Sequence, residues 1–184
     1  MNYWKEIWTK KGLADTTNLT WLDGFENSPL NPKEIANWII KELDIKPSDK
    51  VLEVGCGAGM LAQYIAPKCN YMGIDFTEAL LEKHIKLLHN PVMYSEANDI
   101  PFKDKCFDKS FSYSVFHYFP NKEYSKKALN EMKRVTKSKI LVGDVPFKSD
   151  VKEHLVFTKN DFPFYSVITQ EQANLNRMNV VIEV

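Results

Sequence analysis

The strongest constraint on this chain is a cluster of glycines. Gly55, Gly57 and Gly59, three of only seven glycines in 184 residues, lie within five positions directly behind the apolar run Val51–Val54. Glycine there lets the backbone turn tightly and lets a ligand approach the main chain and the start of the next helix. In sheets that alternate with helices, this is the carboxyl end of a strand, where ligands bind. The plainer reading is a tight strand-to-helix turn with no ligand, and the clustering weighs against it.

The surrounding sequence alternates. Tyr71–Ile74, Val92–Tyr94, Phe107–Tyr113 and Ile140–Val142 read as further short strands. Between them lie a helical stretch that stops near Pro67, one carrying Leu80, Leu81, His84, Ile85 and Leu88, and one over Asn121–Val135 with Leu129, Met132 and Val135 on one side. Short apolar strands alternating with helices predict an α/β, doubly wound, Rossmann-like fold: a mostly parallel sheet with helices on both faces. Ahead of it a helix is signalled from Asn31, with a capping side chain, Pro32 in the first turn and an apolar stripe of Ile35, Trp38, Ile39 and Leu43. Lys46–Asp49 reads as a turn, and residues 1–30 as irregular and aromatic-rich.

The organisation expected is one domain over 1–184, with an N-terminal helical arm or lid (1–49), a ligand-binding core (50–146) and a C-terminal segment (147–184). In that last segment Thr169–Met178 reads as a helix and Val180–Val184 as a final strand.

Composition narrows the function classes. Lys+Arg 24 balance Asp+Glu 24, which gives no electrostatic footprint for nucleic acid or an anionic membrane, so neither is expected as a partner. No apolar run reaches membrane-spanning length, and the aromatic, charged start does not read as a secretory signal. Cys56, Cys69 and Cys106 are odd in number and never in a CxxC spacing, so neither a disulfide scaffold nor a metal site is expected. A cytoplasmic setting fits best.

Spacing separates the ligand classes. A dinucleotide fingerprint needs Gly or Ala at position 60, where this chain has Met60, and no phosphate-loop motif occurs. Asp75 ends the second strand about twenty residues after the first strand's end, where an acid accepts hydrogen bonds from both hydroxyls of a ribose. Its other reading is an acid at the start of a helix, favourable to the helix dipole.

These residues resemble the class I S-adenosylmethionine-dependent methyltransferases, in the small-molecule group typified by ubiquinone-biosynthesis enzymes. Glu53–Gly59 is similar to that family's first motif and Met72–Asp75 to its second. Ser95–Phe102, Phe107–Pro120 and Glu131–Val135 resemble later motifs in order. The resemblance implies S-adenosyl-L-methionine as cofactor and S-adenosyl-L-homocysteine as product. It implies that Glu53 holds the amino-acid end, that Gly55, Cys56 and Gly57 bring the backbone close, and that Asp75, followed by Phe76, takes the ribose. It also implies Glu96 and Ala97 at the adenine edge, Ile100 on the adenine face and the Ser112 carbonyl at the ammonium. Ser95 and Glu96 depart from the family's Gly-Asp, and Lys137-Ser138-Lys139 from its Pro-Gly-Gly turn.

Methyl transfer from a sulfonium needs chiefly alignment and exclusion of water, with a base only if the acceptor must lose a proton. His117, in the loop after the fourth strand, is the candidate base or a packing histidine, with Tyr113, Tyr118 and Asp144 as secondary candidates. Tyr3, Trp4 and Trp8 read as a lid over the cofactor or as a plug on exposed apolar surface. The function expected is methyl transfer to a small organic acceptor. The rivals are a non-catalytic binder of the same cofactor and, more remotely, a nicotinamide-dependent oxidoreductase. The stretch after residue 146 is short for the helix and strand pair that complete this family's sheet. That leaves either an edge covered by another segment or subunit, or a truncated chain.

Overall fold

The computed structural model describes residues 3–162, 166–168 and 176–184. Seven strands form one sheet: β1 (Lys50–Val54), β2 (Asn70–Asp75), β3 (Val92–Tyr94), β4 (Phe107–Tyr113), β5 (Thr136–Pro146), β6 (Ser166–Ile168) and β7 (Arg177–Glu183). Their order is β3-β2-β1-β4-β5-β7-β6, with β7 antiparallel to both its neighbours and the rest parallel. The chain order reverses between β1 and β4, and a crevice at such a reversal is where doubly wound sheets bind ligands.

Both faces of the sheet are covered, as period-two alternation in its strands requires. Leu52 and Val54 of β1, with Ile140 and Val142 of β5, enter one core alongside Leu129, Met132 and Val135. These last three lie on α6 (Lys122–Val135), one of the helices numbered here in chain order with α1 (Tyr3–Leu13), α2 (Leu19–Leu22), α3 (Pro32–Leu43), α4 (Ala62–Ile65) and α5 (Glu78–Leu88). Val51 and Leu141 point the other way, against Ile35, Ile39 and Leu43 of α3 and Ile65 of α4. The cap at Asn31 forms as its sequence predicts, its side chain accepting from the Lys33 amide at 2.9 Å.

Three expectations are corrected. Residues 3–13 are helical rather than irregular: Trp4, Trp8 and Gly12 stand four apart on one face. Gly12 lets α1 press on α5, where an added Cβ would lie 2.6 Å from the Ala79 backbone. The closing strand pair is present, because β7 pairs with β6 upstream of it, so the sheet does not end one strand short. Of the helix expected over Thr169–Met178, residues 169–175 lie outside the described residues, and Arg177 and Met178 belong to β7. On α5 the expected stripe is half right: Leu80, Leu81 and His84 are buried, while Ile85 is 51% exposed.

Candidate functional site

The carboxyl ends of β1, β2 and β4 open into a cleft. Its floor is the glycine loop. Gly55, Gly57 and Gly59 all take positive φ (80°, 50° and 101°), a region costly for other residues. A Cβ at Gly55 would collide with the Val115 side chain, and one at Gly57 with the Asp23 carboxylate.

The loop's amides are all engaged. Gly55 and Cys56 donate to the Ile74 carbonyl at 2.8 and 3.0 Å. Gly57 donates to Asp75 Oδ2 at 3.0 Å. Ala58, Gly59 and Met60 donate to the carboxylate of Asp23 at 2.7, 3.1 and 2.8 Å. Asp23 follows α2 and belongs to the N-terminal segment, whose Trp8 and Leu22 pack on Ala58 and Leu80. Below the loop, His84 Nδ1 lies 3.1 Å from the Gly57 carbonyl and its Nε2 lies 3.3 Å from Asn90 Nδ2. A carbonyl only accepts, so Nδ1 carries the proton and Nε2 accepts from Asn90. Burial holds this histidine below its ordinary pKa and therefore neutral.

Four carboxylates, Asp23, Glu53, Asp75 and Glu96, line the cleft, and among the described residues no lysine or arginine does. Burial pushes Asp23 up to about 7 against the pull of its three amides, and Asp75 to about 6. Glu53 is driven well above the usual carboxylate range, first by burial and then by Asp23 and Asp75, although the Tyr71 hydroxyl donates to it at 2.5 Å. Glu96 accepts from the Tyr124 hydroxyl at 2.6 Å. Buried acids that raise one another's pKa and lack a counter-cation favour a cationic ligand. A pyrophosphate would meet neither a free loop amide nor a basic side chain here. That adds to the objection raised by Met60 against a nicotinamide dinucleotide.

Asp75 reconciles its two readings. Oδ1 accepts from the Thr77 amide at 2.8 Å at the start of α5, and Oδ2 accepts from Gly57, which leaves about two lone-pair sites of the carboxylate for a ligand. Cys56 is buried with its thiol pushed well up, so it is inert as a nucleophile.

Beside the cleft lies a second cluster. The sheet bulges between Val142 and Val145 opposite β7. Asn179 fills the gap, accepting from the Asp144 amide at 2.8 Å, and Arg177 donates to the Asp144 carbonyl at 3.0 Å. The His117 ring packs 4.0 Å from Tyr118 and 4.6 Å from His154, between centroids. Burial, Arg177 and His154 hold His117 well below its ordinary pKa, and its Nδ1 has no partner among the described residues. Trp4 meets Tyr118 edge-on at 4.6 Å and lies tilted against His154 at 5.2 Å, between centroids.

Of the expected site residues, Glu53, Gly55, Cys56, Gly57, Asp75, Phe76, Glu96 and Ala97 line the cleft together, as do Trp8, Tyr113 and Tyr118. Ile100 does not: it sits in the core, its amide held by Glu131 at 2.9 Å. Ser112 also stops short of the wall formed by Tyr113, Ser114 and Val115, and His117 stands behind Tyr118. Sequence reasoning missed Asp23, Tyr71, His84, Tyr124, His154 and Arg177. Tyr71 was within reach, since it shares a strand face with Asp75 four residues on. Asp23 carries no local signal of its partner loop.

Comparison with known proteins fits this geometry. A family model described as a methyltransferase domain matches residues 52–141. A probable tRNA methyltransferase 9B of Mus musculus is 33% identical over 95 residues, covering 50% of this chain and 20% of that protein. A tRNA (carboxymethyluridine(34)-5-O)-methyltransferase of Arabidopsis thaliana is 31% identical over 98 residues, 52% of this chain and 23% of that protein. The chain thus spans only about a fifth of the length of these relatives. In structure it is similar to the magnesium protoporphyrin IX methyltransferase of Synechocystis PCC 6803, solved with S-adenosylhomocysteine, at a TM-score of 0.72 and 12% identity over 99% of this chain and 95% of that one. Residues 52–141 are thus similar to the methyltransferase-domain family, and the whole chain shares the fold of the Synechocystis methyltransferase.

Proposed function

We propose that the chain binds S-adenosylmethionine in this cleft and transfers its methyl group to a small organic acceptor. The observation that carries the reading is the charge of the cleft: four carboxylates, with no lysine or arginine among the described lining residues, around a glycine loop. When bound, the cofactor supplies an electrophilic methyl on a sulfonium, with an ammonium as a second positive charge. Asp75 takes the ribose hydroxyls on its open lone pairs. Glu96 and the Ala97 amide meet the adenine edge, and Phe76 flanks it. Glu53 faces the amino-acid end, while Gly55, Cys56 and Gly57 let the ligand approach the main chain. Ile100 and Ser112 support Ala97 and Tyr113 from behind.

The acceptor enters on the side of Tyr118, His117 and His154. His117 is the candidate to take a proton from it: it is neutral with an unpartnered Nδ1, and because it stands behind Tyr118 the transfer needs that ring to swing aside. Trp4 and Trp8 roof this side and exclude water, which favours a compact acceptor. Three free cysteines support a reducing, cytoplasmic setting, and among the described residues no helix is long and apolar enough to cross a membrane.

The expectation against nucleic acid finds no support among the relatives, four of which are named tRNA methyltransferases. RNA is therefore the second reading. Titration calorimetry with S-adenosylmethionine tests the site, and no heat of binding would sink it. Release of S-adenosylhomocysteine on adding a metabolite extract, but not a purified RNA pool, is the result expected for a small acceptor. Release with RNA alone overturns that choice, and binding without release from either pool points to a non-catalytic binder.

A further inference from the structure

The glycine loop is not available as an anion cradle. Each amide from Gly55 to Met60 already donates within the chain, to Ile74, Asp75 or Asp23. No described lysine or arginine lines the cleft to replace those donors. Two of its neutral donors are also spent, Tyr124 on Glu96 and Ser95 on the carbonyls of Glu96 and Asp99. Yet the implied cofactor carries an α-carboxylate as well as two cationic groups.

We propose that Asp23 sets the ligand specificity of the site: by filling the loop amides with its own carboxylate it stands where the ligand's α-carboxylate would otherwise bind, so that the ligand's amino-acid end is recognised by its ammonium rather than its carboxylate. This rests on the cofactor reading above and adds to it a class of ligand, adenosyl sulfonium amines without a carboxylate. Asp23 comes from the N-terminal segment, more than thirty positions from the loop it caps. Its contact depends on Gly57, whose missing Cβ makes room for the carboxylate. A carboxylate on three backbone amides leaves no room for a second one on the same donors. Two anions brought together there would repel, and the ligand's amino-acid end turns its ammonium, not its carboxylate, toward Asp23, Glu53 and Asp75.

The test compares S-adenosylmethionine with decarboxylated S-adenosylmethionine by titration calorimetry on the whole chain. The wild-type protein should bind the decarboxylated compound as tightly as the parent or more so, within about threefold. Binding of the decarboxylated compound weaker by about tenfold or more, the loss of one charge-assisted contact, means that the cofactor's carboxylate displaces Asp23, and overturns the proposal. Asp23→Ala frees three amides and should shift the preference toward S-adenosylmethionine by about tenfold, a ratio that general loosening of the fold would not move. Asp23→Asn, which keeps one acceptor oxygen and drops the charge, should shift it less. An unchanged ratio in both variants also overturns the proposal. Binding of neither compound by the wild-type protein defeats the cofactor reading itself, an outcome distinct from an altered ratio.

Discussion

The two halves of the site are built on opposite electrostatic plans. The cofactor half gathers Asp23, Glu53, Asp75 and Glu96 around a glycine loop, with no basic side chain among the described lining residues. The half beside it gathers His117, His154 and Arg177 under Trp4 and Tyr118, with Asp144 as the acid of that cluster. In the first half, burial raises the pKa of acids; in the second, it lowers that of histidines. Burial penalises whichever form is charged, so an unliganded cleft holds Asp23, Glu53 and Asp75 partly protonated and its histidines neutral. A cation entering the first half restores charge to the acids, and a neutral imidazole in the second remains free to accept a proton. On the proposed reading, binding and proton removal thus fall to different residues, and variants can separate them.

The largest separation is expected at His117. His117→Ala should lower turnover by about 10²- to 10⁴-fold, the range for loss of a general base, while the Kd for S-adenosylmethionine stays within about twofold. Steady-state kinetics beside calorimetry checks it, and unchanged turnover would make His117 a packing residue. Asp75→Ala is the converse. It removes the partner of the Gly57 and Thr77 amides together with the proposed ribose contact, and should weaken cofactor binding by about 100-fold. If Asp75→Ala binds the cofactor normally, the ribose assignment fails.

What sequence alone could reveal differs between the halves for a physical reason. The first half is local: a glycine loop follows β1, an acid ends β2 and another acid follows β3, so backbone periodicity and turn chemistry mark each position. The second is assembled from residues far apart in the chain: Trp4, His117, His154 and Arg177 meet only because the sheet closes with β7 beside β5. Asp23 belongs to the first half yet was equally hidden, since an Asp-Gly pair reads as a turn whatever it touches. His84 and Ile85 show the same limit at one residue. Helical spacing placed Ile85 inside, but the polar histidine is buried because the Gly57 carbonyl needs a donor, and the isoleucine faces out.

Acidity provides a milder way to pull the halves apart. Asp23 at about 7 and Asp75 at about 6 hold protons near neutrality in the free protein. A bound cation favours the ionised forms, so binding expels those protons, and affinity rises with pH through that range. The Kd for S-adenosylmethionine should fall by about tenfold from about pH 5.5 to about pH 8, with net proton release seen as buffer-dependent heat. A flat profile would mean that these acids are already ionised and that their amides, not a ligand, hold the charge.

The smallest effect expected lies at the proposed adenine end, where this chain departs from the pattern of the methyltransferases it resembles. Glu96 is one methylene longer than the usual aspartate, and a longer side chain loses more rotamer freedom when fixed. Tyr124 supplies the restraint: its hydroxyl donates to one Glu96 oxygen at 2.6 Å, and its ring packs on Phe119 at 4.9 Å between centroids. Tyr124→Phe keeps the ring and removes only the tether. Since a hydrogen bond to a half-exposed acid contributes modestly, cofactor affinity should fall by about three- to fivefold. Glu96→Asp restores the family's residue but pulls the carboxylate away from Tyr124, so it should weaken binding by a similar factor rather than improve it. The double variant should then cost no more than either single change, because both break the same contact. Additive losses would mean that Glu96 and Tyr124 act on the ligand separately, and that the extra methylene and the tyrosine are not a matched pair.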